Sequence, residues 1–357
     1  MSRKSFLIAA LTVALPLSAS AQQPSGPYKI LRTVKVGGEG GFDYVTADPD
    51  GRTLYVARSG PAGHMGVFNL DSLTQLGDIT GASAHGAAVD PSTGHGFATS
   101  NPVTMFDAKN FTVIKKVENQ GSPDGYLNDT FNHHFYILSH RAPNITVLDD
   151  KDGSILGTID IGGAPEQAVT DGKGKIYVDI EDKDAIAVID AANMKMLGKY
   201  DISSHGGGCA GLAFDVKNQI LFASCRDKNN MIILSATDGH VITDLPIGVG
   251  SDGATFNPAT MEAFSSQGDG TLTVIKENSP TSFAVEQTVA TPKGAKTLTL
   301  DPKTGHIFLI TAEYAAAPAP EAAPAAPAGT PEAAARPGRP RRGPMVPGSF
   351  SIIEVGK

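Results

Sequence analysis

The sequence contains no tryptophan and only two cysteines among its 357 residues. Without tryptophan, the chain cannot carry the Trp-Asp dipeptide of WD repeats or the tryptophan-docking motifs of quinoprotein alcohol dehydrogenases. It has no C-x-x-C-H motif, which excludes covalent c-type haem. Basic residues are in the minority, with 29 Lys and Arg against 37 Asp and Glu, and they form no basic stripe. Binding to nucleic acid or to anionic membranes is therefore not expected.

The first 21 residues have the pattern of a secretory signal peptide. Arg3 and Lys4 precede an apolar stretch from Phe6 to Leu17, and Ala19-Ser20-Ala21 forms an A-x-A cleavage site. The apolar stretch is too short for a membrane span, and no cysteine follows it for a lipoprotein anchor. We expect a mature chain that begins near residue 22, has a formal charge of −10, and is periplasmic or secreted.

The two cysteines, Cys209 and Cys225, are expected to form a disulfide, because exported proteins meet an oxidising compartment. The alternative is a reactive thiol or a pair of soft-metal ligands. His205, which precedes Gly206 in a glycine-rich loop, would then complete a copper-type ligand set with them.

A pattern that recurs seven times, at spacings of 39 to 44 residues, organises the rest of the chain. Each copy has an Asp or Asn, here called the anchor, and an aromatic residue six or seven positions later in a short apolar run. The anchors are Asp48, Asp90, Asp129, Asp171, Asp215, Asn257 and Asp301, and the aromatics are Tyr55, Phe97, Tyr136, Tyr177, Phe222, Phe264 and Phe308. A period near 40 built from short strands predicts an all-β, seven-bladed β-propeller with four-stranded antiparallel blades.

The two ends of the chain are predicted to complete the same blade. The seventh repeat ends after its third strand, whereas the segment 30–36 has the pattern of an outer strand and precedes the first repeat. Pairing of these segments would close the ring and remove an open sheet edge. An Ala/Pro-rich stretch, 315–348, interrupts the seventh repeat and is predicted to be a disordered insert in a single domain, 22–357.

The repeats resemble the YVTN-type β-propeller family. The resemblance is carried by segments such as Val45-Thr46-Ala47-Asp48-Pro49 followed by Leu54-Tyr55-Val56-Ala57, and it extends over most of the mature chain. It implies a seven-bladed propeller, commonly exported in bacteria. It implies little about activity, because such propellers serve as enzymes, binding proteins and surface-layer components.

The position five residues before each anchor is predicted to lie on the rim of the central channel. These rim positions are Asp43, His85, Asp124, Glu166, Ala210, Asp252 and Lys296. Like charges on neighbouring blades, about 6 Å apart, would repel by roughly 3 kcal/mol. The rim carboxylates are therefore expected to hold a cation or protons. A divalent cation (Ca²⁺, Mn²⁺ or Zn²⁺) on Asp43, His85, Asp124 and Glu166 is one interpretation; polar residues that cap loops or meet channel water are the other.

The loops that leave the second strands are predicted to form a second polar layer on the same face. Arg58, Arg141 and Arg226 would clamp a carboxylate or phosphate of a ligand, or else remain solvated loop charges. The same layer contains His140, Glu181, Asp182 and Glu313, and His205 is predicted nearby as a ligand-binding residue. His95, His306, His133 and His134 fall on the opposite face and are predicted to be incidental.

Three functions are compatible with this pattern. The first is an exported binding protein that holds a small ligand or a cation at the channel mouth. The second is a lactonase-like hydrolase or isomerase, with His85 as general acid/base, Glu166 or Asp124 as its partner, and Arg58 or Arg226 holding a substrate carboxylate. The third is a scaffold that binds a protein partner through its blade edges and the insert.

Overall fold

The computed structural model describes residues 26–61, 63–316 and 343–357. Twenty-eight strands form seven four-stranded antiparallel sheets, which confirms the predicted seven-bladed β-propeller. A 3₁₀ helix, Glu181–Lys183, is the one helix in these ranges, and no helix among the described residues has the length and hydropathy of a membrane span. The predicted signal peptide, 1–21, lies outside the described residues.

The strands follow one order in every blade, from the channel outward. The innermost strands are β2 Gly41–Asp48, β6 Ala84–Asp90, β10 Pro123–Asp129, β14 Pro165–Thr170, β18 Cys209–Asp215, β22 Ser251–Asn257 and β26 Leu298–Asp301. The second strands are β3 Thr53–Ser59, β7 His95–Ser100, β11 His134–Ser139, β15 Lys175–Ile180, β19 Ile220–Cys225, β23 Glu262–Gln267 and β27 His306–Thr311. The third strands are β4 Met65–Asn69, β8 Val103–Asp107, β12 Ile145–Asp149, β16 Ala185–Asp190, β20 Asn230–Ser235, β24 Thr271–Ser279 and β28 Ser351–Gly356. The outer strands are β5 Gln75–Ile79, β9 Val113–Val117, β13 Ile155–Ile159, β17 Lys195–Asp201, β21 Val241–Pro246, β25 Ser282–Ala290 and, for blade 7, β1 Lys29–Lys35.

The N-terminal strand closes the ring, as the sequence predicts. Strand β1 pairs antiparallel with β28, from Lys29 opposite Gly356 to Lys35 opposite Ser351. The preceding residue, Tyr28, is 4% exposed and packs edge-on against Phe264 of blade 6. Its backbone N–H and C=O both bond to the side chain of Gln287, at 2.9 and 2.7 Å. The first residues of the described chain thus tie blade 7 to blade 6.

The hydrophobic core lies between the blades. The seven aromatics predicted from the repeat are all at most 1% exposed, and several contact an aromatic ring of the next blade. Tyr55 lies 5.6 Å from Phe106, and Phe97 lies 4.9 Å from Phe135. The spacing of the aromatics therefore follows from the need to fill each interface between blades with one large side chain.

Cys209 and Cys225 form a disulfide, which confirms the predicted pairing. They face each other across β18 and β19 of blade 5, and both are buried. Neither thiol is available as a metal ligand.

The described ends of the predicted insert are held against blade 7. Tyr314 pairs with Met345, and the N–H of Ala315 donates to the carbonyl of Pro344 at 2.9 Å. The predicted stretch 315–348 therefore includes residues that belong to the blade at both ends. Residues 317–342, on which most of the predicted disorder falls, lie outside the described residues.

Candidate functional site

Register irregularities at the start of the innermost strands aim the rim positions at the channel. In blades 1 to 6 the pairing with the second strand shifts near the first residues of the innermost strand. The rim residues that fall in these irregularities are Asp43, His85, Asp124, Glu166, Ala210 and Asp252. A bulge releases a residue from the ladder and redirects its side chain. In blade 7, Lys296 lies just before the innermost strand.

Six of the seven predicted rim positions line one cavity of about 220 Å³. We call this cavity the mouth; its lining consists of Asp43, Tyr44, His85, Ser122, Pro123, Asp124, His140, Glu166, Arg226, Asp252 and Lys296. Ala210, the one rim position without an ionisable side chain, is not in this lining. The structure thus brings together the ionisable side chains found five residues before the anchors.

Acidic and imidazole groups alternate along one side of the mouth. Nδ1 of His85 lies 2.9 Å from Oδ2 of Asp43 and 3.0 Å from Oδ1 of Asp124. Nε2 of His140 lies 3.0 Å from Oδ2 of Asp124 and 3.5 Å from Oε1 of Glu166. We call these five residues the mouth arc. Asp124 is its centre, because each of its oxygens faces a different imidazole.

The other side of the mouth is an internal salt-bridge network. Asp252 pairs with both Lys296 and Arg226, and Arg226 also pairs with Glu181. Nε of Arg226 donates to the carbonyl of Ser251 at 2.8 Å, which fixes the guanidinium. Asp252 is therefore neutralised by the protein itself.

The contacts along the arc shift the pKa values of its members. Hydrogen bonds to Asp124 and Asp43 raise the pKa of His85 to about 10. A hydrogen bond to Asp124 raises the pKa of His140 to about 9. Burial would raise the pKa of Asp124, but hydrogen bonds from His140 and His85 outweigh it and hold that pKa below its usual range.

Two carboxyl groups, Glu166 of the arc and the neighbouring Asp179, favour their neutral form. Burial, together with the charge of Glu181, raises the pKa of Glu166 to about 8. Asp179, 0% exposed in β15, has no hydrogen-bond partner on either oxygen within the described chain. Burial and the charge of Glu166 raise its pKa well above the ordinary value. At neutral pH both carboxyl groups therefore favour the protonated form and add no negative charge to the mouth.

The mouth balances its own charge at neutral pH. The sequence count of four rim carboxylates against one lysine and one histidine omits His140 and Arg226, which also reach the cavity. With both imidazoles protonated and Glu166 neutral, the cations His85, His140, Arg226 and Lys296 face the anions Asp43, Asp124, Glu181 and Asp252. At neutral pH the protonated imidazoles therefore supply the positive charge that the sequence leads us to expect from a bound cation.

Large side chains occupy the channel beneath the mouth. Tyr44 and Tyr126 pack edge-on with ring centroids 5.6 Å apart. The side chain of Gln167 reaches two other blades, accepting from the N–H of Leu212 at 3.0 Å and donating to the carbonyl of Ala254 at 2.9 Å. A Cβ on Gly86 would lie 2.1 Å from the Tyr126 ring, so only glycine fits at that position.

Two predicted ligand-binding residues, Arg58 and His205, do not line the mouth. Arg58 is 3% exposed, donates to the carbonyls of Gly37 and Gly40, and stacks on Phe350 at 3.8 Å. It anchors the loop after β1 rather than lining the mouth. Nδ1 of His205 lies 3.8 Å from Asp244, and His205 is likewise absent from the lining.

The distance along the chain from the buried aromatic of the blade distinguishes the second-layer residues at the mouth from Arg58. His140 and Arg226, which line the mouth, and Glu181, which pairs with Arg226, each follow the buried aromatic of their blade by four positions. Arg58 follows Tyr55 by three. Successive side chains of a strand point to opposite faces, so an odd offset turns the arginine away. Sequence reasoning also missed Tyr44, Ser122 and Pro123, which adjoin rim positions. It missed Asp179 as well, although that residue is an acid within an apolar strand.

The histidine pKa values predict how stability depends on pH. His85 and His140 have folded pKa values of about 10 and 9, above the unfolded value of 6.5. The protonated histidines therefore contribute their full amount to the free energy of unfolding below pH 6.5. This contribution is lost as the pH rises towards 10. Both side chains are over a third exposed, so we allow about 1 kcal/mol each after solvent screening.

We expect the melting temperature of the metal-free protein to fall by roughly 5 °C more between pH 6.5 and 9.5 than that of the His85→Gln/His140→Gln variant. Thermal unfolding followed by circular dichroism in the presence of a chelator measures the difference. Equal pH slopes for the two proteins would contradict the assignment.

The fold and the mouth define the class of protein: a seven-bladed β-propeller with a polar cavity at one end of its channel. No family model matches the chain, so the YVTN assignment stays a prediction. The chain is 22% identical over 194 residues to the uncharacterized protein YncE of Salmonella typhi and of Salmonella typhimurium, with coverage of 52% of this chain and 54% of theirs. It thus spans about half the length of the curated relatives it matches.

A chain in the crystal structure of a mitotic checkpoint complex has the same architecture. It superposes with a TM-score of 0.66 over 87% of this chain and 95% of that chain, at 13% identity. At this identity the likeness shows the fold alone, and the chemistry of the mouth must be argued from its own residues.

Proposed function

We propose that this propeller binds a divalent cation at the channel mouth through the mouth arc. The observation that carries the proposal is the proximity of donor atoms. One atom each from Asp43, His85 and Asp124 lies within 4.8 Å of the others, and the same holds for Asp124, His140 and Glu166. The two sets share Asp124, so that the arc offers two imidazoles and three carboxylates.

The spacing and chemistry of these donors support a borderline metal. Ligands that bind one ion at about 2.1 Å lie roughly 3 Å apart in octahedral geometry and roughly 3.4 Å apart in tetrahedral geometry. The separations of 2.9 and 3.0 Å around His85 match the octahedral spacing. Mixed imidazole and carboxylate donors suit Zn²⁺ or Mn²⁺, whereas Ca²⁺ takes oxygen ligands. Of the three predicted cations, Zn²⁺ and Mn²⁺ are therefore favoured over Ca²⁺.

The size of the mouth favours a cation over an organic ligand. The cavity volume of about 220 Å³ is below the roughly 300–1,000 Å³ of typical small-molecule sites. Ionisable side chains dominate its lining, and among the lining residues only Tyr44 and Pro123 offer substantial apolar surface. A metal ion with its remaining water ligands fits this space and polarity.

The test is a titration of chelator-treated mature protein with Zn²⁺ or Mn²⁺ by calorimetry, in buffers that differ in ionisation enthalpy. The arc imidazoles are protonated at pH 7 and must lose those protons to ligate. We expect release of one proton per imidazole bound and of one more where Glu166 is a ligand, with affinity that rises about 10-fold per pH unit for each displaced proton. Ca²⁺ serves as the control and should bind far more weakly. Absence of both binding heat and any thermal shift would count against the proposal.

A hydrolytic activity at the same mouth is a second candidate. The observation that favours it is the combination of a carboxyl group with a pKa of about 8, Glu166, and two imidazoles with raised pKa values in one cavity. A panel of lactones tests it, with His85→Ala as the variant. Turnover that disappears in the variant would support a role for His85, whereas turnover that persists would remove this residue from the mechanism.

We also infer that the protein is exported. The predicted signal peptide and the Cys209–Cys225 disulfide support a periplasmic or secreted location. Fractionation of cells that express the full sequence tests this; recovery of uncleaved, reduced protein from the cytoplasm alone would contradict it.

A further inference from the structure

A second cluster of potential metal ligands lies at the other end of the channel, between blades 2 and 3. It consists of Asp90, His133 and Asp150, each with one donor atom within 4.8 Å of the others. His85 is the second residue and Asp90 the last residue of the same innermost strand, β6, so this cluster and the mouth lie on opposite faces of the ring. We call it the turn-face cluster.

The repeat shows that Asp150 is not required by the fold. In blades 1 to 5 the residue after the third strand donates its backbone N–H to the residue before the second strand, as Asp150 does to the carbonyl of His133 at 3.2 Å. In blade 6 the donor is Glu277 within β24, a buried acid like Asp150. Four other blades carry an apolar residue at this position: Leu70, Ala108, Ala191 and Ala236. Leu70, Ala191 and Ala236 are at most 1% exposed, and Ala108 is partly buried. Asp150 thus replaces a buried apolar side chain with a buried carboxyl group.

Asp150 is buried without a lysine or arginine partner among the described residues. It is 0% exposed; one oxygen accepts from Nδ2 of Asn128 at 2.6 Å, and the other has no hydrogen-bond partner in the described ranges. The charged groups that act on it are the acids Asp90, Asp149 and Asp129. No described lysine or arginine forms an ion pair with Asp90, Asp129 or Asp150. A buried carboxyl group without a cation is costly.

The equivalent position between blades 7 and 1 shows how the fold supplies a cation when it uses its own side chains. There Arg52, three residues before Tyr55, places Nη1 2.9 Å from the buried anchor Asp301. His133 holds the same place before Tyr136, and its Nδ1 lies 3.9 Å from the anchor Asp90. Both residues have positive φ, 53° and 55°, so both lie in the left-handed region. Compared with the interface between blades 7 and 1, the interface between blades 2 and 3 has an imidazole in place of the arginine. It also has one more carboxyl group, that of Asp150.

We propose that the turn-face cluster is a second divalent-cation site, with Asp90, His133 and Asp150 as ligands. Two carboxylates and one imidazole suit Zn²⁺ or Mn²⁺. The His133 side chain is 57% exposed, which leaves a path for the ion and positions for water ligands. The inference does not rest on the proposed function of the mouth, because the two sites share no residue.

The experiment counts Zn²⁺ bound to the mature, tag-free protein by equilibrium dialysis and elemental analysis. An Asp124→Asn background isolates the turn-face cluster from the mouth. In that background we expect one molar equivalent of Zn²⁺, which Asp150→Ala removes. Asp150→Ala is expected to fold, because alanine stands at this position in three other blades. Asp152→Ala, which removes an exposed carboxylate of the same turn, is the matched control and should keep the full equivalent.

A second variant guards against a folding defect at Asp150. His133→Gln alters a half-exposed side chain and should weaken Zn²⁺ binding at least 10-fold while the melting temperature without metal stays within a few degrees of the parent. The proposal is overturned if the Asp124→Asn protein binds no Zn²⁺. It is also overturned if Asp150→Ala and His133→Gln both leave the bound equivalent unchanged, in which case Asp150 holds a proton instead.

Discussion

Replacing Asp124 with asparagine is expected to weaken divalent-cation binding at the mouth by 100-fold or more. Asp124 is the one residue common to both ligand sets, and each of its oxygens faces a different imidazole, at 3.0 Å in both cases. Changes to groups that merely orient ligands already weaken metal affinity by about 10- to 100-fold, so loss of a shared ligand should do more. Calorimetric titration with Zn²⁺ measures the effect.

The same substitution has a consequence that does not require a metal. Hydrogen bonding to Asp124 is the largest cause of the raised pKa of both His85 and His140. In Asp124→Asn, both imidazole pKa values should fall towards 6.5, which NMR titration of the histidine ring protons detects. This readout tests the hydrogen bonds of the arc separately from metal binding.

Single-set variants provide the matched controls. Asp43→Asn removes a ligand from the His85 set alone, and Glu166→Gln removes one from the His140 set alone. We expect each to weaken binding less than Asp124→Asn does. If Asp43→Asn and Glu166→Gln leave the affinity unchanged while Asp124→Asn also binds normally, the arc is not a metal site.

Removal of the N-terminal strand is expected to abolish folding of the propeller. A chain that begins at residue 37 lacks Tyr28 and β1, so β28 becomes an unpaired edge at the site of ring closure. Burial of Tyr28 contributes about 2 kcal/mol, and each lost backbone hydrogen bond about 1 kcal/mol. The sum is comparable with the whole stability of a typical domain, about 5–15 kcal/mol.

The measurement is the yield of soluble protein and its thermal unfolding, compared with a chain that begins at residue 26 and keeps the strand. The second chain should behave like the mature protein. A shortened chain that stays soluble and monomeric, with a melting temperature within about 5 °C of the control, would show that the closing strand is dispensable.

The repeat period determined the architecture because a blade is a local unit. Four strands joined by short turns, one anchor and one buried aromatic recur at each copy, so the number of blades can be counted along the chain. The closing strand followed from the same count, since the seventh repeat lacks its outer strand. The rim positions also followed, because every innermost strand begins on the same face of the ring.

The second layer of the mouth depended on side-chain direction, which the strand ends alone do not give. Arg58 and Arg226 are both arginines near the end of a second strand, but they lie at odd and even offsets from the buried aromatic. Arg226 meets Asp252 and Glu181, whereas Arg58 turns to the loop after β1 and stacks on Phe350. The strand alternation contains this information, but it becomes usable only once the register is known.

The sequence by itself determined the seven blades, their closure, the disulfide and the ring of ionisable groups, because each of these repeats along the chain or follows from residue type. Only the tertiary structure decided how those groups share charge. Whether a carboxylate meets an imidazole, a guanidinium or another acid depends on contacts between different blades, as for Asp124 between His85 and His140. Such contacts are set by ångström distances and by burial, which no local pattern in the chain records.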